Sequence, residues 1–456
     1  MIPLLHPGCQ MKTPILETKP SRKLVLAVFT AIFVFEACFA WVYAQSKWPT
    51  LNHGGIPDMR ATGMNYIAAP GHEYDYFDCA GYNWMAYTLL EKGGFHNPSG
   101  FVSAWYTPGY PMALAILYGV FGYSYPPALL FNALCVTLAY YFLFRLGRDL
   151  FGSTVSWVVL LLLVCNLRVS YHAAFIFTDL LFFFLTALTL YLVYVIIIRK
   201  NQPFYLLALL GFVCGFAALV RPVMIPAGAA LGIIFLVERV PLCKIGVFLA
   251  FVCMVFGSWL VRNYVQFGRL VVSTSSDWFF MAEDYDAYRS YSFFSTYRLV
   301  MKKQTPVEQM RDKGEALHEP DVRYMEDHSF LFRDQFDSWR KQNRSYYYWL
   351  IAWRFKALLM PYAADMSARD KVIAFVLWSL TFPPAALAGL FLRREKFYWI
   401  ILLLALGMFV MPSLFTVDAH LRYQLPAQLY LTLPAGYFWY RCALWLRRLS
   451  PEPRPS

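Results

Sequence analysis

Charge is scarce in this 456-residue chain: 15% of its residues are Asp, Glu, Lys or Arg, against about a quarter in an ordinary globular domain. With 59% apolar and 19% aromatic residues, there is too little polar surface to clothe a water-soluble fold, and that class is excluded. Acid is scarcer than base, 28 Asp plus Glu against 40 Lys plus Arg for a net charge of +12. The basic residues cluster at the ends of apolar runs, which is the bias of cytoplasmic loops and not a nucleic-acid-binding face. Six of the nine cysteines lie inside apolar runs, Cys9 and Cys243 fall on the expected cytoplasmic side, and Cys79 alone falls outside. That excludes a disulfide framework and a CxxC metal site. There is no Gly-rich phosphate loop, no internal repeat and no low-complexity tract beyond a Pro-rich tail at 450–456.

What is abundant is long apolar sequence. Ten stretches have the length expected of membrane spans, at about 24–44, 125–146, 153–171, 175–198, 204–220, 223–238, 244–261, 370–392, 397–415 and 424–445. The fold class is therefore an all-α polytopic membrane protein of about ten transmembrane helices. Basic groups such as Arg145/Arg148, Arg199/Lys200 and Arg393/Arg394/Lys396 occur at alternate span ends, which makes those ends cytoplasmic. Short cytoplasmic tails, 1–23 and 446–456, then flank a membrane domain over 24–445. The exoplasmic side receives two long loops, 45–124 and 263–369, each expected to carry an interfacial helix: Pro108 to Gly122, Pro- and Gly-broken and too short to span, and Tyr346 to Pro361, rich in Tyr and Trp. The first apolar run also has a small-residue, cleavage-like end at Val42-Tyr43-Ala44, but its apolar length favours a membrane anchor over a signal peptide.

The first outer loop holds Glu73, Asp75 and Asp78, followed by Tyr82, Ala86, Leu89 and then Gly93-Gly94. Steps of four, four and three from Asp78 predict a helix that begins at Asp78, lies on the membrane surface and is ended by the glycines. An Asp in that place serves equally as an N-cap or as a reactive carboxylate. Asp179 opens the fourth span, where an ionisable side chain points to function. Arg221, Arg262, His420 and Arg422 all fall at outer ends, against the positive-inside bias, and guanidinium forks there suit either lipid headgroups or a substrate phosphate.

The ordered motifs Asp78-x3-Tyr82-x3-Ala86-x2-Leu89, Pro108-Gly-Tyr-Pro111, Asn132, Phe177-Thr-Asp179, Arg221-Pro222, Trp259-x2-Arg262-Asn263-x4-Gly268 and His420-Leu-Arg422-Tyr423-x2-Pro426 resemble the GT-C glycosyltransferases, in particular the protein O-mannosyltransferase and lipid A aminoarabinose transferase group. The likeness runs from about residue 20 to 445. It implies transfer of a sugar from a polyprenyl-phosphate donor to an exoplasmic hydroxyl on a glycolipid, glycan or protein. In these terms Asp78 aligns with the first-loop aspartate held to be catalytic, with Asp75 and Asp179 as further catalytic carboxylates. Arg422, Arg262, Arg221 and His420 are expected on the donor phosphate, and Glu73, Tyr82 and Tyr423 are expected to position substrate. The acidic motif follows neither named subgroup letter for letter, which leaves the sugar open. Membrane lipids are the surroundings, nucleic acid is not a partner, and a bacterial inner membrane with the site facing the periplasm is the expected location. Whether Glu73, Asp75 and Asp78 hold a divalent cation is left open, since nothing in their spacing separates ligation from charge spacing. The acids at 283–337 read as a solvated helical loop. A transporter or flippase of a lipid-linked or small anionic substrate is the competing class, but related halves and midplane ionisable sites are not visible, and the ionisable residues gather at one face.

Overall fold

The structure, a computed structural model, describes residues 20–47, 73–96, 102–268, 270–273, 341, 344–362, 367–415 and 421–449. Among these residues the fold is helical, with one isolated β-bridge between His96 and Val102. The helices are α1 (Arg22–Lys47), α2 (Glu73–Lys92), α3 (Gly109–Phe121), α4 (Tyr125–Phe151), α5 (Ser153–Val164), α6 (Leu167–Ala173), α7 (Asp179–Ile198), α8 (Phe204–Val220), α9 (Met224–Val237), α10 (Leu242–Phe267), α11 (Arg344–Leu359), α12 (Ala368–Leu392, broken by short turns), α13 (Lys396–Phe415) and α14 (Leu425–Leu449).

All ten expected spans are helical, but they are not ten alike. Six helices, namely α1, α4, α7, α10, α12 and α13, are long and apolar enough to cross a membrane, and a seventh span results if α5 and α6, which meet at 55°, are counted together. Helices α8 and α9 have 17 and 14 residues, or roughly 25 and 21 Å at 1.5 Å per residue, less than the ~30 Å hydrocarbon core. Helix α14 has 25 residues but interrupts its apolar run with Gln428 and Arg441. Apolar length thus located the helices, while local breaks and polar insertions determine how many of them meet a strict span criterion.

Helices α4, α7 and α14 form the middle of the bundle. Tyr140, Phe144, Phe182 and Tyr430, which these helices carry, are fully buried, and the Tyr430 hydroxyl donates to the Thr186 carbonyl at 3.2 Å, so a Tyr can sit there with its polar tip satisfied. By contrast α1 and α10 expose Leu26, Val42, Val261 and Val265, the surface expected where the neighbour is lipid and not water. Helices α8 and α10 approach through Gly211 and Gly215, four residues apart. A Cβ on Gly211 would lie 2.3 Å from the Phe248 carbonyl oxygen, so this small-residue stripe is what allows the two backbones to meet.

Helix α2 begins at Glu73, one turn and more before the expected start at Asp78. Asp78 is therefore inside the helix and is not its N-cap. The reason is physical: acidic residues are favoured in the first turns of a helix, at the positive end of its dipole, so the acids at 73, 75 and 78 suit a helix start there. The expected end holds, with α2 stopping at Lys92 and Gly93 adopting φ 68°. Helix α3 has 13 residues, too short to span, and packs on α2, α4 and α8.

Candidate active site

One end of α7 gathers the polar groups that the bundle otherwise lacks. Asp179, its first residue, is 4% exposed and forms an ion pair with Arg221, whose Nη1 donates to Asp179 Oδ1. Arg221 ends α8 in extended backbone while its N–H still closes the last turn onto the Ala217 carbonyl at 2.8 Å. The side chain is 7% exposed, and a buried guanidinium of this kind requires a carboxylate partner. Asp179 Oδ2, also buried, has no hydrogen-bond partner among the described residues.

Tyr423 lies between two cations. The Arg221 guanidinium is 4.9 Å from its ring centre and that of Arg422 is 5.6 Å away. Arg422 also lies 5.7 Å from the ring of Phe177, which stacks on Phe175. Cation–π contact offsets part of the cost of keeping two guanidiniums close in a poorly solvated place. The turn Leu421–Gln424 that carries Arg422 is tied down by Gln424, whose Nε2 donates to the carbonyls of Leu358 (2.8 Å) and Met360 (2.6 Å) at the C-terminal end of α11.

The segment before α7 is held from both sides. Asn132, fully buried in α4, donates through Nδ2 to the carbonyls of Phe175 (2.7 Å) and Ala173 (3.3 Å). Ser170 in α6 donates to Glu36 of α1 at 3.0 Å. Between these fixings sits His172, whose ring lies 5.6 Å from that of Tyr171 and 6.3 Å from that of Phe177. Its Nδ1 is buried and has no hydrogen-bond partner among the described residues.

The segment between α2 and α3 reaches the same place through the Pro108-Gly-Tyr-Pro111 motif. A Cβ on Gly109 would fall 2.6 Å from the Val220 nitrogen, so only glycine lets the start of α3 lie against the residue before Arg221. Thr107 adds a hydrogen bond to the Val220 carbonyl at 3.2 Å. Tyr82 of α2 packs on Tyr106 and Tyr110, with ring centres 4.5 and 5.5 Å apart, and the Tyr110 hydroxyl donates to Asn132 Oδ1 at 3.5 Å. An aromatic and amide chain therefore runs from α2 to the backbone leading into Asp179. Asp75 and Asp78 share a helical stripe with Tyr82, at spacings of three and four.

The structure thus brings together Asp179, Arg221, Arg422 and Tyr423, and connects Tyr82 to them. Arg262 is in different company: it donates to Asn263 Oδ1 (2.8 Å) and the Phe95 carbonyl (3.5 Å) and lies over Trp259 and Phe267. The side chains of Glu73, Asp75 and Asp78, together with His420 and the acids at 283–337, lie outside the described residues. Among those described, no three His, Cys, Asp or Glu residues cluster to hold a metal ion. Sequence reading missed His172 and Glu36. For Glu36 the signal was there, an ionisable residue midway along an apolar run; for His172 it was only proximity in sequence to Asp179.

In known proteins the same arrangement of helices recurs. The structure matches ArnT from Cupriavidus metallidurans bound to undecaprenyl phosphate with a TM-score of 0.53 at 14% identity, over 94% of this chain and 63% of that one. The apo form of the same protein gives 0.52, over 93% and 62%. The chain has the GT-C fold. The archaeal oligosaccharyltransferase AglB from Archaeoglobus fulgidus, solved with an inhibitory peptide and a dolichol-phosphate, is similar at a TM-score of 0.50 and 12% identity, over 95% of this chain and 53% of that one. The GT-C chain described here therefore spans less than two thirds of the length of either relative. A family described as dolichyl-phosphate-mannose-protein mannosyltransferase matches residues 106–261, the part that holds the Pro108–Pro111 motif, Asn132, His172, Asp179 and Arg221. No curated protein matches the chain by sequence. With its apolar, lipid-facing helices, this is a multi-pass integral membrane protein of GT-C architecture.

Proposed function

We propose that the protein is a membrane glycosyltransferase that moves a sugar from a polyprenyl-phosphate donor to a hydroxyl on a glycolipid, glycan or protein at the exoplasmic face, in a bacterial inner membrane the periplasmic one. The observation that carries this reading is the cluster of Arg221, Arg422 and Tyr423 beside the buried Asp179, in which two guanidiniums share one aromatic ring. A phosphodiester carries one negative charge, and an aromatic-backed arginine pair is a fitting receptor for it. The match of the 106–261 segment to that family model and the lipid phosphates bound by ArnT and AglB support the same reading.

In this reading Asp78 is the general base. Its carboxylate takes the proton of the acceptor hydroxyl as that oxygen bonds to the anomeric carbon; the bond from the anomeric carbon to the phosphate oxygen breaks, and polyprenyl phosphate leaves with the electron pair. Arg422 and Arg221 stabilise the charge that accumulates on the leaving phosphate. Asp179 holds the Arg221 fork in place and keeps one oxygen for substrate. Asp75, on the same helical stripe, is next in line as base, and Glu73, Tyr82, Tyr423 and His420 complete the pocket. Arg262 supports the loops around it.

A positioned base contributes roughly a hundredfold to ten-thousandfold. Asp78→Asn keeps shape and polarity while removing the proton acceptor, so purified Asn variant assayed with polyprenyl-phosphate sugars should lose turnover by that factor while still binding the lipid donor. Transfer within a few-fold of the parent would move the role to Asp75.

A further inference from the structure

Asp179 Oδ2 and His172 Nδ1, both in the candidate site, are buried polar atoms without a hydrogen-bond partner among the described residues. Buried polar atoms are nearly always satisfied, so an orphan in an otherwise well-bonded place calls for an explanation. The surroundings are well bonded. Asp179 Oδ1 is taken by Arg221, and the stretch bearing His172 is fixed on one side by the Ser170 bond to Glu36 and on the other by the two Asn132 bonds to Ala173 and Phe175. The His172 ring lies 6.3 Å from that of Phe177, which Arg422 also contacts, and Arg422 shares Tyr423 with Arg221, the partner of Asp179, so the two orphans belong to one locale. They are also chemically complementary to a single group. A carboxylate oxygen only accepts, whereas an imidazole nitrogen can carry the proton and donate. A hydroxyl has one proton to give and two lone pairs to offer, so it satisfies both at once.

We propose that His172 Nδ1 and Asp179 Oδ2 form a hydroxyl-binding subsite that holds the sugar of the donor, beside the arginines that hold its phosphate. This deepens the glycosyltransferase reading and rests on it. Phosphate recognition by Arg221 and Arg422 is common to every polyprenyl-phosphate sugar; a hydroxyl clamp is what distinguishes the loaded carrier from the bare one. The subsite therefore confers preference for donor over product. It also explains why the protein commits buried polar residues on α1 and α4 to locking a seven-residue helix: a hydrogen-bond pair selects a hydroxyl only when both of its members are held still.

The test is binding of two lipid classes to the purified protein: undecaprenyl phosphate alone, and undecaprenyl phosphate carrying mannose, glucose or 4-amino-4-deoxyarabinose, read on whichever sugar the parent binds most tightly. His172→Leu should weaken the sugar-bearing lipid about tenfold, the loss of one buried hydrogen bond, and leave undecaprenyl phosphate within twofold. His172→Asn, whose amide can occupy the place of Nδ1, should recover most of the loss and serves as the readout of function if the Leu variant misfolds, with a donor affinity above that of His172→Ala. Equal weakening of both lipids by His172→Leu, or of neither, overturns the subsite. Failure of the underlying reading looks different: Arg422→Ala would then leave both lipids bound as in the parent.

Discussion

Arg262 and the pair Arg221/Arg422 are the same residue type at the same end of the bundle, for the segment at 105–107 touches both neighbourhoods, through Ser273 to the Trp105 carbonyl at 2.7 Å and through Thr107 to the Val220 carbonyl. Their partners differ. Arg262 sits over Trp259 and Phe267 and donates to Asn263 and the Phe95 carbonyl, while Trp259 and Asn263 in turn donate to the carbonyls of Val272 (2.7 Å) and Val271 (2.8 Å). That is a fastening between the end of α10, the chain that follows it and the chain after α2. Arg221 and Arg422 instead share one aromatic ring and face one carboxylate that keeps an oxygen free. On the function proposed above, Arg262 serves the fold and the Arg221/Arg422 pair serves the phosphate of the donor.

The largest effect should come from breaking the second neighbourhood at Asp179. Removing one partner of a buried ion pair strands the other, at about 3–5 kcal/mol, so Asp179→Ala should lower thermal stability sharply in detergent. The double variant Asp179→Leu with Arg221→Met removes both charges and should regain most of that stability, because apolar replacement of a complete pair is often neutral. It should still fail to bind undecaprenyl phosphate with parental affinity. If the double variant binds the lipid as the parent does, the pair belongs to the fold, and the contrast with Arg262 disappears.

Next in size is Arg422→Ala. Loss of a charge-assisted contact to phosphate costs on the order of 2 kcal/mol, about thirtyfold in affinity. Donor binding should fall by that factor with acceptor binding little changed, and Arg422→Lys should restore only part, since a point charge replaces a fork. Equal donor affinity in parent and Ala variant would reassign Arg422 to anchoring on lipid headgroups.

How much of this contrast the sequence carried can be judged residue by residue. Arginines at span ends expected to be exoplasmic run against the basic bias of membrane proteins, and that anomaly, with the ordered motifs, singled out Arg221, Arg262 and Arg422. It did not separate them, because spacing along the chain says nothing of which helix ends pack together. Asp179 was legible as a carboxylate at a span mouth, but its partner was 42 residues away and emerged only with the packing of α7 on α8. The helices themselves were legible from apolar runs and from Gly93, whereas the start of α2 was misplaced because a cluster of acids looks like a loop and behaves like a helix N-terminus. Gly109 stood in a recognised motif, yet its reason, the approach to Val220, is a tertiary contact.

The smallest effect is expected at Arg262, and it is the one that tests the comparison most directly. Arg262→Ala removes hydrogen bonds to Asn263 and to the Phe95 carbonyl and the stack on Trp259, contacts worth about 1 kcal/mol each in comparable settings. Thermal stability should therefore fall modestly. Arg262→Gln, which keeps a donor but no charge, should recover part of it. Affinity for undecaprenyl phosphate should stay within about twofold in both, since a phosphate contact would instead cost the thirtyfold of Arg422. The informative measurement is the ratio of the two readouts: stability lost without lipid affinity for Arg262, lipid affinity lost without stability for Arg422. Should Arg262→Ala lose lipid binding as strongly as Arg422→Ala, all three arginines serve one anion, and the fastening around Trp259 is the near wall of the donor pocket.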